Sequence, residues 1–221
     1  MKQFNFKKIF AISQFVLILI TLIISICALT PHTTINRQVN ESYFIEVYRG
    51  DVELKFEGSK CDMVDAIQHY IDSVAPASCV SGRILFEKCE EYNIDVRFAM
   101  AQAQIESHFG TTGVASKTNS IFNVMAYDGE SADTMIRKGR GYTHPDHSIE
   151  PYLKLLNESY LVKGKTERDL LDKFVNVSGK RYASNPNYES SMLSIYNRIC
   201  NETPLTDKYK NYIKYKTILE K

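Results

Sequence analysis

The sequence lacks an excess of charge of either sign: 27 Lys and Arg stand against 26 Asp and Glu, a net charge of +1. A protein that binds nucleic acid by displacing counterions needs a basic excess, so a nucleic-acid partner is excluded. Metal-ligand spacing is missing as well. There is no CxxC and no Cys/His interval of the zinc type, and no metal or organic cofactor is expected. The chain holds no internal repeat and no low-complexity tract, which leaves one domain of ordinary size plus an appendage. Hydrophobic residues make up 44% of it, enough to bury a core.

The appendage is N-terminal. Lys2, Lys7 and Lys8 precede an uncharged run, FVLILITLIISICAL, which with its lead-in covers residues 9–29. At 1.5 Å per helical residue that length spans a bilayer. The basic flank on its N-terminal side puts the first eight residues in the cytoplasm and the remainder outside. The expectation is an uncleaved signal anchor, giving a single-pass membrane protein. A cleaved signal peptide is the alternative, kept open by small residues at Ser25, Cys27 and Ala28. Export makes disulfides chemically available. Cys61, Cys79, Cys89 and Cys200 allow three pairings, of which Cys89–Cys200 with Cys61–Cys79 is the expected one, against four free thiols.

Residues 30–60 read as a tether followed by a small extended segment, because YFIEVYRGDVELKFEG alternates apolar and polar around Arg-Gly-Asp and suggests a hairpin. Beyond it the periodicity is helical. Met63, Val64, Ile67, Tyr70, Ile71 and Val74 form a stripe ended by Pro76. A helix from Gly82 to Tyr92 capped by Ser81 follows, then one capped by Asp95. Residues 111–148 are rich in Gly, Ser, Thr and Asn and read as loops with a small irregular sheet. Helical patterns return in IEPYLKLLNESYL, ERDLLDKFVNV and SSMLSIYNRIC. A mainly α domain at 61–205 results, with 206–221 as a charged tail or helix that puts Tyr209, Tyr212 and Ile213 on one side.

One residue in this pattern is out of place. In the helix after Asp95, the positions Val96, Ala99, Ala103 and Glu106 fall on one stripe, while Arg97, Ala101, Gln104 and His108 fall on the opposite, wetter one. Gly110 is placed to close the helix. Glu106 therefore lies on the dry side, near the negative end of the helix dipole, and both circumstances disfavour its ionised form. A carboxyl kept protonated in that way suits a general acid, such as one that protonates a departing sugar oxygen.

The surroundings of Glu106 carry a resemblance. AQAQIESHFG followed by NSIF resembles the AQAALESGWG…NNLFGIK pattern of peptidoglycan endo-β-N-acetylglucosaminidases, glycoside hydrolase family 73. It matches at Ala101, Gln102, Ala103, Glu106, Ser107 and Gly110, then at Asn119, Ile121 and Phe122. HSIEPYLKLL is similar to a later helix of that family, and KRYASNPNYESSMLSI to its YATDPNY segment, through Tyr182, Ala183, Pro186 and Tyr188. The three blocks cover about residues 82–200. The resemblance implies a lysozyme-like helical domain with a small irregular loop or β-lobe, acting on peptidoglycan glycan strands at the reducing side of N-acetylglucosamine.

On this resemblance Glu106 is the general acid, and Tyr182, then Tyr188, are the phenols at the sugar cleft. Tyr182 takes a catalytic or substrate-positioning role and Tyr188 a substrate-binding one. Asn119 and Phe122 shape the floor beside the acid. Two departures stand out. Asn123 occupies the place where the family has Gly, and Asn is among the few residues that enter the left-handed region. The segment that in the family often bears a second carboxylate is short here. Its candidates are Asp128, Glu130, Asp133, Asp146 and Glu150, with Glu130 the choice. Without such a group the substrate's acetamido oxygen is the alternative nucleophile.

Two other functions fit the same scaffold: a lytic transglycosylase or muramidase, and a non-catalytic wall-binding or assembly module. NSIFNVM in place of a GLMQ-type motif speaks against the transglycosylase, and a carboxylate on a dry helix face against the binder. His108, His144 and His147 invite a metal reading, but HPDH is more simply a Pro turn before a helix. Arg-Gly-Asp at 49–51 is most simply a turn. The four NxS/T sequons matter only where exported proteins are glycosylated.

Overall fold

The computed structural model describes residues 32–124 and 129–221, with side chains described from residue 48 onward. The expected membrane span at 9–29 lies outside the described residues. Among the described residues no helix is long and apolar enough to cross a membrane. Residues Met1–Asp51 and Val52–Lys221 are separate units. In the first, the described part is helical. The second holds the hydrophobic core and the site.

The described helices are, in order, α1 (His32–Val74), α2 (Gly82–Glu91), α3 (Val96–Ser107), α4 (Ala115–Thr118), α5 (Ala132–Arg137), a 3-10 turn (Pro145–Ser148), α6 (Ile149–Leu155), a π turn (Leu156–Tyr160), α7 (Glu167–Asp172), α8 (Tyr188–Glu202) and α9 (Leu205–Leu219). The mainly α expectation holds. The irregular sheet expected in 111–148 is absent from the described residues, where two short helices and the 3-10 turn stand among loops. The single β-bridge among the described residues, Val175 with Arg181, lies elsewhere.

The hairpin expected in 43–58 is instead the middle of α1. Apolar alternation there is too short to outweigh a helical stripe that continues to Val74. Val52 and Ser59 are buried, Phe56 is partly buried, and Met63, Ile67 and Ile71 are fully buried. The stripe finds its partner at the far end of the chain: the Phe56 ring stacks on Tyr212 of α9 at 5.4 Å, and Phe86 of α2 meets Tyr212 edge-on at 5.2 Å. The C-terminal segment is therefore helical over Leu205–Leu219 and packed on the core through Leu205 and Tyr212, while Ile213 stays exposed. Each fully buried Met, Ile or Phe of this core contributes about 1.5–3 kcal/mol relative to exposure.

Local signals set the helix starts. Ser81 accepts a hydrogen bond from the Ile84 amide at 3.3 Å, and Asp95 accepts one from the Arg97 amide at 2.9 Å. Such caps are worth about 1 kcal/mol each. Gly82 is required by packing: a Cβ there would meet the Gln68 backbone nitrogen at 2.9 Å, so α2 can begin directly against α1 only without a side chain. The expected disulfides do not form. All four thiols are free, with Cys61 and Cys79 exposed and Cys89 buried. Cys89 sits among apolar core side chains as a small hydrophobe, and burial pushes its thiol pKa well up.

Candidate active site

α3 is the central helix, and the two-stripe expectation for it is too simple. Val96 and Phe98 through Gln104 are all buried, so Ala101 and Gln104, expected on a wet face, are inside. The helix packs along α8 on one side and against α2 on another. The oxygens of its two buried amides accept from other elements: the Tyr70 hydroxyl donates to Gln104 Oε1 at 2.6 Å, and the Tyr152 hydroxyl donates to Gln102 Oε1, while Gln102 Nε2 is buried without a partner. Mid-helix glutamines next to a general-acid candidate are thus structural here.

The helix ends one residue after Glu106. His108, not Gly110, is the capping residue, and His108, Phe109 and Gly110 are left-handed in succession at φ 45°, 53° and 83°. Side chains at left-handed φ are uncommon and need support from their surroundings. Ser107 supplies it: its hydroxyl donates to the Ile121 carbonyl at 2.6 Å and accepts from the Gly110 amide at 2.8 Å. A Cβ on Gly110 would approach Ile121 Cγ2 at 3.1 Å. This clasp holds the turn Ile121–Phe122–Asn123 against the end of α3, next to Glu106.

Glu106 is held at both oxygens. The Tyr188 hydroxyl donates to Oε1 at 2.5 Å, and Asn123 Nδ2 donates to Oε2 at 3.2 Å and to the Glu106 backbone carbonyl at 2.8 Å. Burial pushes the Glu106 pKa up, and the bonds from Tyr188 and Asn123 pull against it without overcoming it. Asn123 adopts φ 50°, the left-handed conformation its side chain tolerates.

Glu106 lines a cleft of about 790 Å³ together with Asn123, Glu130, Lys180 and Tyr182. Glu130 stands in the opposite electrostatic condition. Arg140 Nη2 and Lys138 Nζ both donate to its Oε1, the lysine at 2.8 Å. Arg140 first and Lys138 second bring its pKa down to about 2, so it is ionised at any working pH. The same cleft therefore carries one carboxyl biased toward the acid form and one fixed as an anion. Environments that separate two carboxyl groups in this way assign them different chemical tasks.

The remaining predicted site residues divide differently from expectation. Tyr182 lines the cleft, yet its hydroxyl is committed to the Phe122 carbonyl at 2.7 Å and its ring stacks on Phe174 at 4.8 Å. Tyr188, expected at the sugar, is 5% exposed and lies beneath the acid, with its hydroxyl on Glu106. Burial raises the Tyr188 pKa well above that of a free phenol, so it stays a donor. Phe122 is a core aromatic, fully buried and stacked on Tyr152 at 3.7 Å. Asn119 is left-handed at φ 55° and donates to the Tyr142 carbonyl at 2.8 Å, pinning a loop and leaving the cleft to others. Asp146 and Glu150 are far from this chemistry, Asp146 accepting the Ser81 amide and Glu150 pairing with Lys88. Asp128 lies outside the described residues, and Asp133 is exposed on α5.

The residues that sequence reasoning missed as site members are Asn123, Lys138, Arg140 and, in the cleft wall around the expected Tyr182, Asn176, Lys180, Arg181 and Ser184. Only Asn123 left a signal, as a left-handed-tolerant residue in an unusual place. For the histidines, His108 is exposed while His144 and His147 lie with ring centroids 5.9 Å apart near Asp146. Among the described residues no three metal-ligating side chains converge. Compared with known proteins, residues 82–201 match the family model described as mannosyl-glycoprotein endo-beta-N-acetylglucosaminidase, from the first residue of α2 to the last turn of α8. No curated protein matches the chain.

Proposed function

Since the chain belongs to the mannosyl-glycoprotein endo-beta-N-acetylglucosaminidase family, we propose that it cleaves peptidoglycan at the β-1,4 bond on the reducing side of N-acetylglucosamine. Family membership carries glycoside hydrolysis in general; the polymer, the bond and the residue roles are our reading. The observation that supports it most is the partly buried Glu106 carboxyl in the cleft wall, raised in pKa by desolvation and held by Tyr188 and Asn123. We place the domain outside the cytoplasm, tethered through residues 9–29.

In this reading Glu106 gives its proton to the glycosidic oxygen as the bond to the anomeric carbon breaks. Positive charge then develops on the sugar ring; Glu130 lines the same cleft, but Arg140 and Lys138 on its Oε1 offset its charge. Glu130 itself is a poor base, because Arg140 and Lys138 already draw on its electron pairs. That favours the acetamido oxygen of the same sugar as the nucleophile at the anomeric carbon. Water then opens the resulting ring, and the Glu106 carboxylate takes back the proton that the water releases.

The test compares wild type with Glu106→Gln on purified peptidoglycan and identifies the new chain ends. Reducing N-acetylglucosamine ends that vanish in the variant support the proposal. Anhydro-muramic ends turn it into a transglycosylase, and binding without cleavage by wild type overturns the enzymatic reading.

A further inference from the structure

Asn123 stands where a smaller residue would satisfy the backbone. Its φ of 50° is one that glycine adopts without strain, so the turn alone does not call for an amide. What the amide does is specific. Its nitrogen bonds two acceptors of the same residue, the Glu106 backbone carbonyl at 2.8 Å and Oε2 at 3.2 Å. Two acceptors use both of its hydrogens, and this fixes which way the amide is turned. A flipped amide would set its oxygen against a carbonyl and a carboxyl. The fixed orientation leaves Asn123 Oδ1 buried without a partner. A buried polar atom left unsatisfied requires an explanation, and the explanation here is the demand made by Glu106.

We propose that Asn123 is a positioning residue for the general acid, holding the Glu106 carboxyl in its cleft-facing pose and meeting the charge that appears on Oε2 as the proton leaves. This rests on the reading of Glu106 as acid. The nitrogen of Asn123 has no lone pair to offer, so the proton of Glu106 is never shared with it. Before transfer the bond to Oε2 is one to a neutral carboxyl. During transfer it becomes one to an anion and strengthens. An interaction that strengthens only in the transition state raises kcat and leaves substrate affinity alone. Tyr188 serves Oε1 in the same way from beneath, so both oxygens have a donor in place before the reaction starts.

The test uses Asn123→Gly, which keeps the left-handed turn free of strain, with thermal melting to show that the fold is intact. On soluble glycan strands from peptidoglycan, kcat falls about tenfold or more while KM stays within about twofold, as expected for loss of a bond to an ion. The alkaline limb of kcat moves to higher pH, because the ionised form of Glu106 has lost a donor. Asn123→Asp, which places an acceptor at Oε2, lowers kcat further. A kcat within about twofold of wild type with an unmoved limb, or a loss confined to KM, overturns the proposal. A second readout needs no substrate: carbon-13 NMR titration of labelled glutamate carboxyls in wild type and Asn123→Gly. A higher Glu106 pKa in the variant supports the proposal, and equal values overturn it. If wild type cleaves no glycan, the hydrolase reading fails while the titration still decides the contact.

Discussion

Tyr188→Phe removes one oxygen from beneath the candidate acid and little else. The ring is 5% exposed and remains packed near Phe174 and Tyr182, at 6.1 and 6.0 Å between centroids. What is lost is the donor on Glu106 Oε1, a hydroxyl at 2.5 Å inside a buried site. A hydrogen bond to a charged group is worth about 1.5–3 kcal/mol. The whole of that loss falls on the ionised form, so proton affinity at Glu106 rises by a factor of roughly ten to a hundred at about 1.4 kcal/mol per tenfold. A general acid works while protonated, so raised affinity carries the alkaline limb of kcat/KM to higher pH. The plateau falls at the same time, because the carboxylate left after proton transfer has one donor fewer. The assay is the pH dependence of hydrolysis of soluble glycan strands, with reducing ends as the readout. An alkaline limb that stays in place or moves to lower pH would refute the assignment of Tyr188 as the donor that stabilises the charge on Glu106.

Glu106→Gln tests the same burial through stability. Burial raises the folded-state pKa of Glu106 above its unfolded value, so its stability contribution is intact at low pH and erodes as pH rises through the unfolded value toward the folded one. The variant should melt about level with wild type near pH ~4 and above it at pH ~7, and an equal difference at both would count against the burial argument. Arg140→Gln withdraws the larger cause of the low Glu130 pKa of about 2. The acid limb of the rate profile should then move up toward the ordinary carboxylate range, and an unmoved limb would remove Glu130 from the reaction. The thiols give a test independent of catalysis. Cys61 and Cys79 are exposed and Cys89 is buried, so an alkylating reagent should label the first two in the native protein and Cys89 only after unfolding. Mass spectrometry showing a Cys89–Cys200 or Cys61–Cys79 bridge would overturn that description.

Much of the scaffold was legible because its signals are local. Ser81 and Asp95 cap the helices they were expected to cap, and Pro76 lies just beyond the end of α1. Each rests on a contact within a few residues, which a sequence pattern records directly. The middle of α1 departs from expectation for the opposite reason. Phe56 has its partner in Tyr212, and no window of sequence containing the one contains the other. The wet stripe assigned to α3 failed likewise, since α8, which packs along the helix, is distant in sequence.

The position of Glu106 near the end of a buried helix followed from spacing alone, as did the bias of its burial toward the protonated form. Spacing fixes a residue's place on its helix, and the dipole comes with the helix. What surrounds the carboxyl was decided by the tertiary structure. Tyr188 arrives from α8 and Asn123 from the turn after α4, and Glu130 owes its low pKa to Arg140 and Lys138 across the end of α5. Hydrogen bonds act over about three ångströms, and only folding brings groups so far apart in sequence within that reach. The same limit explains why Tyr188 and not Tyr182 meets Glu106: both stand in the block that follows α7, and which hydroxyl reaches the carboxyl depends on where α8 begins against α3.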